Sequence, residues 1–272
     1  MSERTPDYWT TEYEGRLIAL RQIVLAAGDV TLQYFCTDRF NIERKSDSSP
    51  VTEADRSAEE LVRRQVAEKY PLDSILGEEF GAADSTSAYR WIVDPIDGTK
   101  SFICGVPLYS TLLGLEHEGQ MVAGAILIPA LHEIAIAAKG MGAWFRRDVG
   151  TWKRCRVSRQ TSLSDAVFVT SQIDSFDGVT TPDVYRSLEK ECSITRTWGD
   201  AYGYLLIATG RADLMVDPVV KPWDVGAILP VIEEAGGKFS DWSGKSSIYL
   251  PNAVGTNGLL HNEVLRRLNP SK

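Results

Sequence analysis

The chain is poor in the side chains that soft metals and disulfide frames require. Its four cysteines, Cys36, Cys104, Cys155 and Cys192, are far apart and never form a C-x-x-C pair, and His117, His132 and His261 are equally scattered. That pattern argues against a zinc site or a disulfide scaffold, so any metal held here is expected to have oxygen ligands. No basic run occurs, and 37 acidic against 29 basic side chains leave a formal charge of −8, which makes nucleic acid an unsuitable partner. Nowhere do about 18 apolar residues run together, so no membrane span is expected. Met1 to Tyr13 is polar and acidic, which predicts no secretory signal and a cytoplasmic protein. Repeats, low-complexity tracts and a flexible linker are also missing. Gly140-Met141-Gly142 lacks a third glycine and a following helix, so it reads as a hairpin turn rather than a dinucleotide loop.

What is present is a chain of 272 residues with 43% apolar content, enough for one large packed unit or two. Apolar residues at helical spacing (Leu17, Leu20, Val24, Ala27) predict a first helix over 12–35. Thr52 with Asp55 three later opens a second helix that Pro71 closes. Short strands follow at 74–77 and 90–94, both running into acidic residues. From Leu108 to Phe145 the alternation predicts an antiparallel meander of strands over 109–116, 121–127, 133–138 and 142–145. The second half alternates strands (167–170, 194–198, 212–216) with helices (182–190, 201–209, 224–235, 262–268), and a boundary near 150 divides the chain into 1–148 and 149–272.

The candidate site begins with Asp94-Pro95-Ile96-Asp97-Gly98-Thr99, where the apolar run Trp91-Ile92-Val93 meets a glycine turn. Asp94, Asp97 and the Ile96 carbonyl offer oxygen to a hard cation such as Mg²⁺, and Gly98 lets the backbone approach a bound anion. Such cations in turn grip phosphate. The same six residues also make an ordinary inter-strand turn. Glu78 and Asp224 occupy comparable positions, at a strand end and a helix start, and four such carboxylates meeting in one cleft without a cation would repel strongly. Asp224 equally reads as a helix cap, and Lys45, in the polar stretch 45–50, reads either as a phosphate contact or as a surface lysine.

Gly77-Glu78-Glu79, the 94–99 segment and Trp223-Asp224, in this order, resemble the inositol monophosphatase family, and Val51-Thr52-Glu53-Ala54-Asp55 and Glu233-Glu234-Ala235-Gly236-Gly237 fit as well. The resemblance spans nearly the whole chain. It implies an α/β fold layered α-β-α-β-α, hydrolysis of small phosphate monoesters with two or three Mg²⁺, and a homodimer. Carried over, Glu78, Asp94, the Ile96 carbonyl, Asp97 and Asp224 are the metal ligands. Asp55, Glu78 and Thr99 orient the attacking water, and the Gly98 and Thr99 backbone N–H groups hold phosphate oxygens.

Within that family, Thr99 followed by Lys100-Ser101-Phe102 resembles the histidinol-phosphate phosphatase branch, whereas inositol monophosphatases usually have Thr-Asn-Phe. The stretches 199–204, 208–213 and 216–224 resemble the same branch. Cys104 departs from it, standing where a basic residue is common. Asp200 and Asp217 are candidates to pair with the cationic amine and imidazole of histidinol, with Lys45 and Arg196 as further substrate contacts. The other reading of Asp200 is a cap for the following helix. An inositol or sugar phosphatase, and a non-catalytic metal-binding relative, remain as alternatives. Whether the segment 38–50 closes over substrate as a lid is a question the sequence leaves open.

Overall fold

In β5 (Tyr89–Asp97) and its neighbours, successive apolar residues alternate between two cores: Ile92 and Leu112 face one side, Trp91, Val93, Leu113 and Leu115 the other. A sheet covered on both faces needs such unbroken apolar strands, and that requirement organises the molecule. The computed structural model describes residues 5–9, 13–37, 42–44, 50–177 and 183–269. Lys45 and most of the 38–50 segment lie outside them.

In chain order the elements are α1 (Glu14–Leu32), β1 (Ile42–Arg44), β2 (Pro50–Thr52), α2 (Glu53–Lys69), β3 (Ser74–Gly77), β4 (Gly81–Ala83), β5, α3 (Thr99–Ile103), β6 (Ser110–His117), β7 (Gln120–Ile128), β8 (Glu133–Ala138), β9 (Gly142–Arg147) and β10 (Lys153–Arg154). They continue with β11 (Val167–Val169), α4 (Asp183–Glu191), β12 (Ile194–Arg196), α5 (Ala201–Ala208), β13 (Leu214–Asp217), α6 (Pro222–Gly226), α7 (Ile228–Glu234), β14 (Lys238–Ser240), β15 (Ala253–Thr256) and α8 (His261–Leu268). The expected meander is present as β6 to β9, inside an eight-stranded sheet ordered β10-β9-β8-β7-β6-β5-β3-β4 that is antiparallel except where β3 runs beside β5. A second sheet, β12-β11-β13-β15-β14, is parallel at β12-β11-β13 and antiparallel beyond.

Helices α1 and α2 cover one face of the first sheet, α6 and α7 cover the other, and α5 joins that middle layer to the second sheet. Phe168, Leu214 and Val216 of the second sheet pack outward against Tyr185, Leu188 and Val264 of α4 and α8. The layering is therefore α-β-α-β-α. The middle layer lies close to the first sheet: a methyl at Gly124 of β7 would sit 2.2 Å from the Ala227 carbonyl oxygen between α6 and α7.

Two elements differ from expectation. The strand thought to end at Asp94 continues to Asp97, because Pro95, which has no N–H to donate, falls in a bulge of the β5–β6 ladder. The helix expected over 224–235 is two helices, since Pro230 has no N–H for the Gly226 carbonyl four residues back. The two closing strands of the second sheet, β14 and β15, had no counterpart in the sequence reading.

Candidate active site

The bulge in β5 sets the geometry. Residues three apart on a regular strand point to opposite faces. Here Asp94 pairs with Leu112 and Asp97 with Ser110, three positions against two, so both carboxylates emerge on the same face. Thr111 fixes the bulge by donating to the Pro95 carbonyl at 2.9 Å. The chain then turns at Gly98 (φ 84°) into α3, and the Thr99 hydroxyl donates back to the Ile96 carbonyl at 3.2 Å.

Asp94 is buried, hydrogen-bonded to Glu78 and next to the charges of Asp97 and Asp224; burial first, then these neighbours, push its carboxyl well above the ordinary range. Its Oδ1 is buried with no hydrogen-bond partner among the described residues. Asp97 Oδ2 accepts from the Ser110 hydroxyl (2.7 Å) and from the Ala201 N–H (2.6 Å), yet burial and the charges of Asp200 and Asp224 still raise it well above a normal aspartate. Asp224, in the first turn of α6, accepts from the Lys221 N–H at 2.8 Å, so it does cap its helix, and its carboxyl also lines the central cavity. Burial pushes it up to about 7, with Glu78, Asp217 and Asp200 adding to the effect against the Lys221 bond.

The cavity, of about 440 Å³, is lined by Glu78, Asp97, Gly98, Thr99, Asp200, Asp217 and Asp224 among others. Asp200 occupies the N-cap position of α5 with φ 51° and ψ −157°, a backbone conformation that side-chain-bearing residues rarely take. It makes no side-chain cap bond; Asp97 serves the first N–H of that helix instead, so the capping alternative does not hold. The Asp200 carboxylate lies against Gly98, where an added Cβ would stand 2.6 Å from its Oδ2. Burial raises its pKa while Lys100 and Ser171 oppose the rise. Asp217 is turned into the protein: Oδ1 accepts from Ser171 N–H (3.3 Å) and hydroxyl (2.8 Å), Oδ2 from Tyr204 (2.9 Å), and burial sets its pKa to about 6.

Asp55 is buried at the head of α2, where its Oδ2 takes the Thr52 N–H (2.8 Å) and hydroxyl while the Thr52 side chain caps the helix in return, completing the anticipated capping box. It is not among the cavity's lining residues. Arg196 is exposed on β12, donates to the Thr195 carbonyl at 2.7 Å and does not line the cavity either. Lys100, which lines the cavity, donates to the Gln172 side chain, which lines it too. All four cysteines are free thiols.

Three supporting residues escaped sequence reasoning: Ser171, Tyr204 and Glu59. Ser171 carries no signal, and Tyr204 lies in the 199–204 stretch without being singled out there. Glu59 does, because it lies four residues after Asp55 on the buried face of α2, among Ala54, Ala58, Val62 and Val66. An acid on that face needs a partner inside the fold.

Among the described residues no three acidic, histidine or cysteine side chains are already drawn into a closed coordination cluster. The arrangement is an open ring of oxygen donors around a cavity. Its all-oxygen character, the orphaned Asp94 oxygen and the mutual repulsion of its acids fit a hard divalent cation.

Comparison with known proteins finds likeness over nearly the whole chain. The model of the inositol monophosphatase family matches residues 13–270. A histidinol-phosphatase of Chlorobaculum parvum is 43% identical over 222 residues, covering 82% of this chain and 84% of that one. A histidinol-phosphatase of Streptomyces coelicolor is 38% identical over 248 residues, covering 90% and 93%. Among solved structures, a Thermotoga maritima IMPase superposes with a TM-score of 0.83 at 31% identity, covering 94% of this chain and 97% of that one.

Proposed function

Because this chain belongs to the inositol monophosphatase family and is a phosphoric monoester hydrolase, we propose that it is a Mg²⁺-dependent histidinol-phosphate phosphatase, converting L-histidinol phosphate and water to L-histidinol and phosphate in histidine biosynthesis. Glu78, Asp94, the Ile96 carbonyl, Asp97 and Asp224 would hold two or three Mg²⁺. Bound there, the ions would lower the pKa of the attacking water, neutralise the ester and stabilise the leaving oxygen. The protein's own part is positioning. Thr99, braced on the Ile96 carbonyl, orients water together with Glu78, and Asp55, at the head of α2 and outside the cavity lining, is a further candidate for that role. The Gly98 and Thr99 N–H groups donate to phosphate oxygens, and Lys45 is a further candidate to steady them.

The observation that carries the substrate assignment is Asp200: a carboxylate at the cavity wall, relieved of its helix by Asp97, beside the corner assigned to phosphate. A cationic leaving group gains from that charge and a neutral polyol does not. Asp217, committed to Ser171 and Tyr204, supports it electrostatically, and Arg196, on the exposed edge strand, carries less of the argument. The same reading takes the chain as a cytoplasmic homodimer whose first half (1–148) carries most ligands and whose second half (149–272) carries Asp224 and Asp200. Among the described residues no helix is long and apolar enough to cross a membrane.

The test is phosphate release from histidinol phosphate and from inositol 1-phosphate, each with Mg²⁺ and with chelator. A preference of about a hundredfold in kcat/KM, near 2.7 kcal/mol of transition-state discrimination, is expected for histidinol phosphate. Equal rates would favour an inositol phosphatase, the reading that the Thermotoga structural neighbour supports. Absence of Mg²⁺-dependent release from either would defeat both.

A further inference from the structure

Glu78 sits in the turn joining β3 to β4, a connection of three residues that would swing freely if only its two short strands held it. On one side its N–H donates to the Val93 carbonyl of β5 at 3.3 Å. On the other side the anchor is a side chain. Glu59 is wholly buried, and its Oε2 accepts from the Glu79 N–H at 2.8 Å while its Oε1 accepts from the Phe80 N–H at 3.2 Å. Arg63, one turn further along α2, donates to the same carboxylate at 2.8 Å and also reaches the Gly81 carbonyl. The strand makes room for this: a Cβ at Gly77 would stand 2.0 Å from Glu59 Oε1.

We propose that Glu59 is a positioning residue that holds the 78–81 turn so that the Glu78 carboxylate stays beside Asp94 before any cation arrives. The inference rests on the reading of Glu78 as a metal ligand. Glu78, Asp94, Asp97 and Asp224 repel one another while the site is empty of cation, and a turn free to move would relieve that repulsion by carrying Glu78 outward. Glu59 resists the movement through two backbone amides, and Arg63 neutralises its charge so that it does not add to the repulsion. A neutral amide in its place has one acceptor oxygen for three donors, and its NH₂ group faces at least one of them.

Calorimetric titration of Mg²⁺ into metal-free wild type and Glu59→Gln, joined to amide hydrogen exchange in wild type, tests this. Outer-sphere partners of metal ligands typically contribute 10–100-fold, so Glu59→Gln should bind Mg²⁺ about 10–100-fold more weakly. KM at saturating Mg²⁺ should change less than about twofold, and high Mg²⁺ should restore most of kcat. In metal-free wild type the Glu79 and Phe80 amides should already exchange slowly. Unchanged Mg²⁺ affinity in folded Glu59→Gln, beside normal binding by wild type, overturns the inference alone. So do Glu79 and Phe80 amides that exchange fast until Mg²⁺ is added, a result that decides the matter even if the variant does not fold. If wild type binds no Mg²⁺ while those amides are protected, the metal reading of Glu78 fails first and the inference falls with it.

Discussion

Asp200 and His261 illustrate how single side chains here are set by what surrounds them. Asp200 keeps an unfavourable backbone conformation and a raised pKa in a wall already crowded with acid, a rise that the Lys100 charge and Ser171 oppose. Asp200→Asn should therefore raise KM for histidinol phosphate by about tenfold, the size of one charge-assisted hydrogen bond, and leave an uncharged ester nearly unaffected. Equal losses on both substrates would remove its assigned role. His261, buried at the start of α8 between the Ser240 and Thr256 hydroxyls, has its pKa lowered to about 4 by burial, with Lys238 adding. The folded state thus binds fewer protons than the unfolded one between pH 6.5 and about 4. Its contribution is present above 6.5 and lost as pH falls through that window. Urea midpoints of wild type should drop across it more steeply than those of His261→Gln; parallel curves would show that His261 does not titrate on unfolding.

The bulge of β5 and the close approach of α6–α7 to β7 are the decisive elements. One extra residue turns Asp94 and Asp97 to a common face, and one absent side chain, at Gly124, lets the helix pair that carries Asp224 come near enough to complete the ring. Gly124→Ala must push that helix pair away from the sheet, and overpacking of this kind costs about 1–3 kcal/mol. We expect a lower melting temperature together with weaker activation by Mg²⁺; a variant as stable and as active as wild type would mean the layer yields easily. The acids themselves were legible in the sequence, and so were the Thr52–Asp55 capping box and the meander, because each depends on neighbours in the chain. The bulge was not, since register belongs to the pairing with β6. The break between α6 and α7 was signalled by Pro230 and overlooked. That Asp97 rather than Asp200 caps α5 depends on two segments 104 residues apart meeting, and no local pattern announces that.

At the scale of the whole molecule, the middle layer of helices comes from the second half of the chain and covers a sheet built from the first. During synthesis the eight-stranded sheet is therefore complete by Arg154 while one of its faces, bearing Ile92, Leu112, Ile126 and Ile128, still waits for residues 201–234 to leave the ribosome. Until then that face is an apolar surface of the kind that binds chaperones or other nascent chains. A fragment ending at residue 154 should aggregate or stay chaperone-bound, and adding residues 155–272 in trans should rescue its solubility; a monomeric, soluble fragment would refute this. The phosphatase would thus be vulnerable in the interval between translating its meander and translating its Asp224, so stalled translation there should harm the protein more than a stall near the C-terminus.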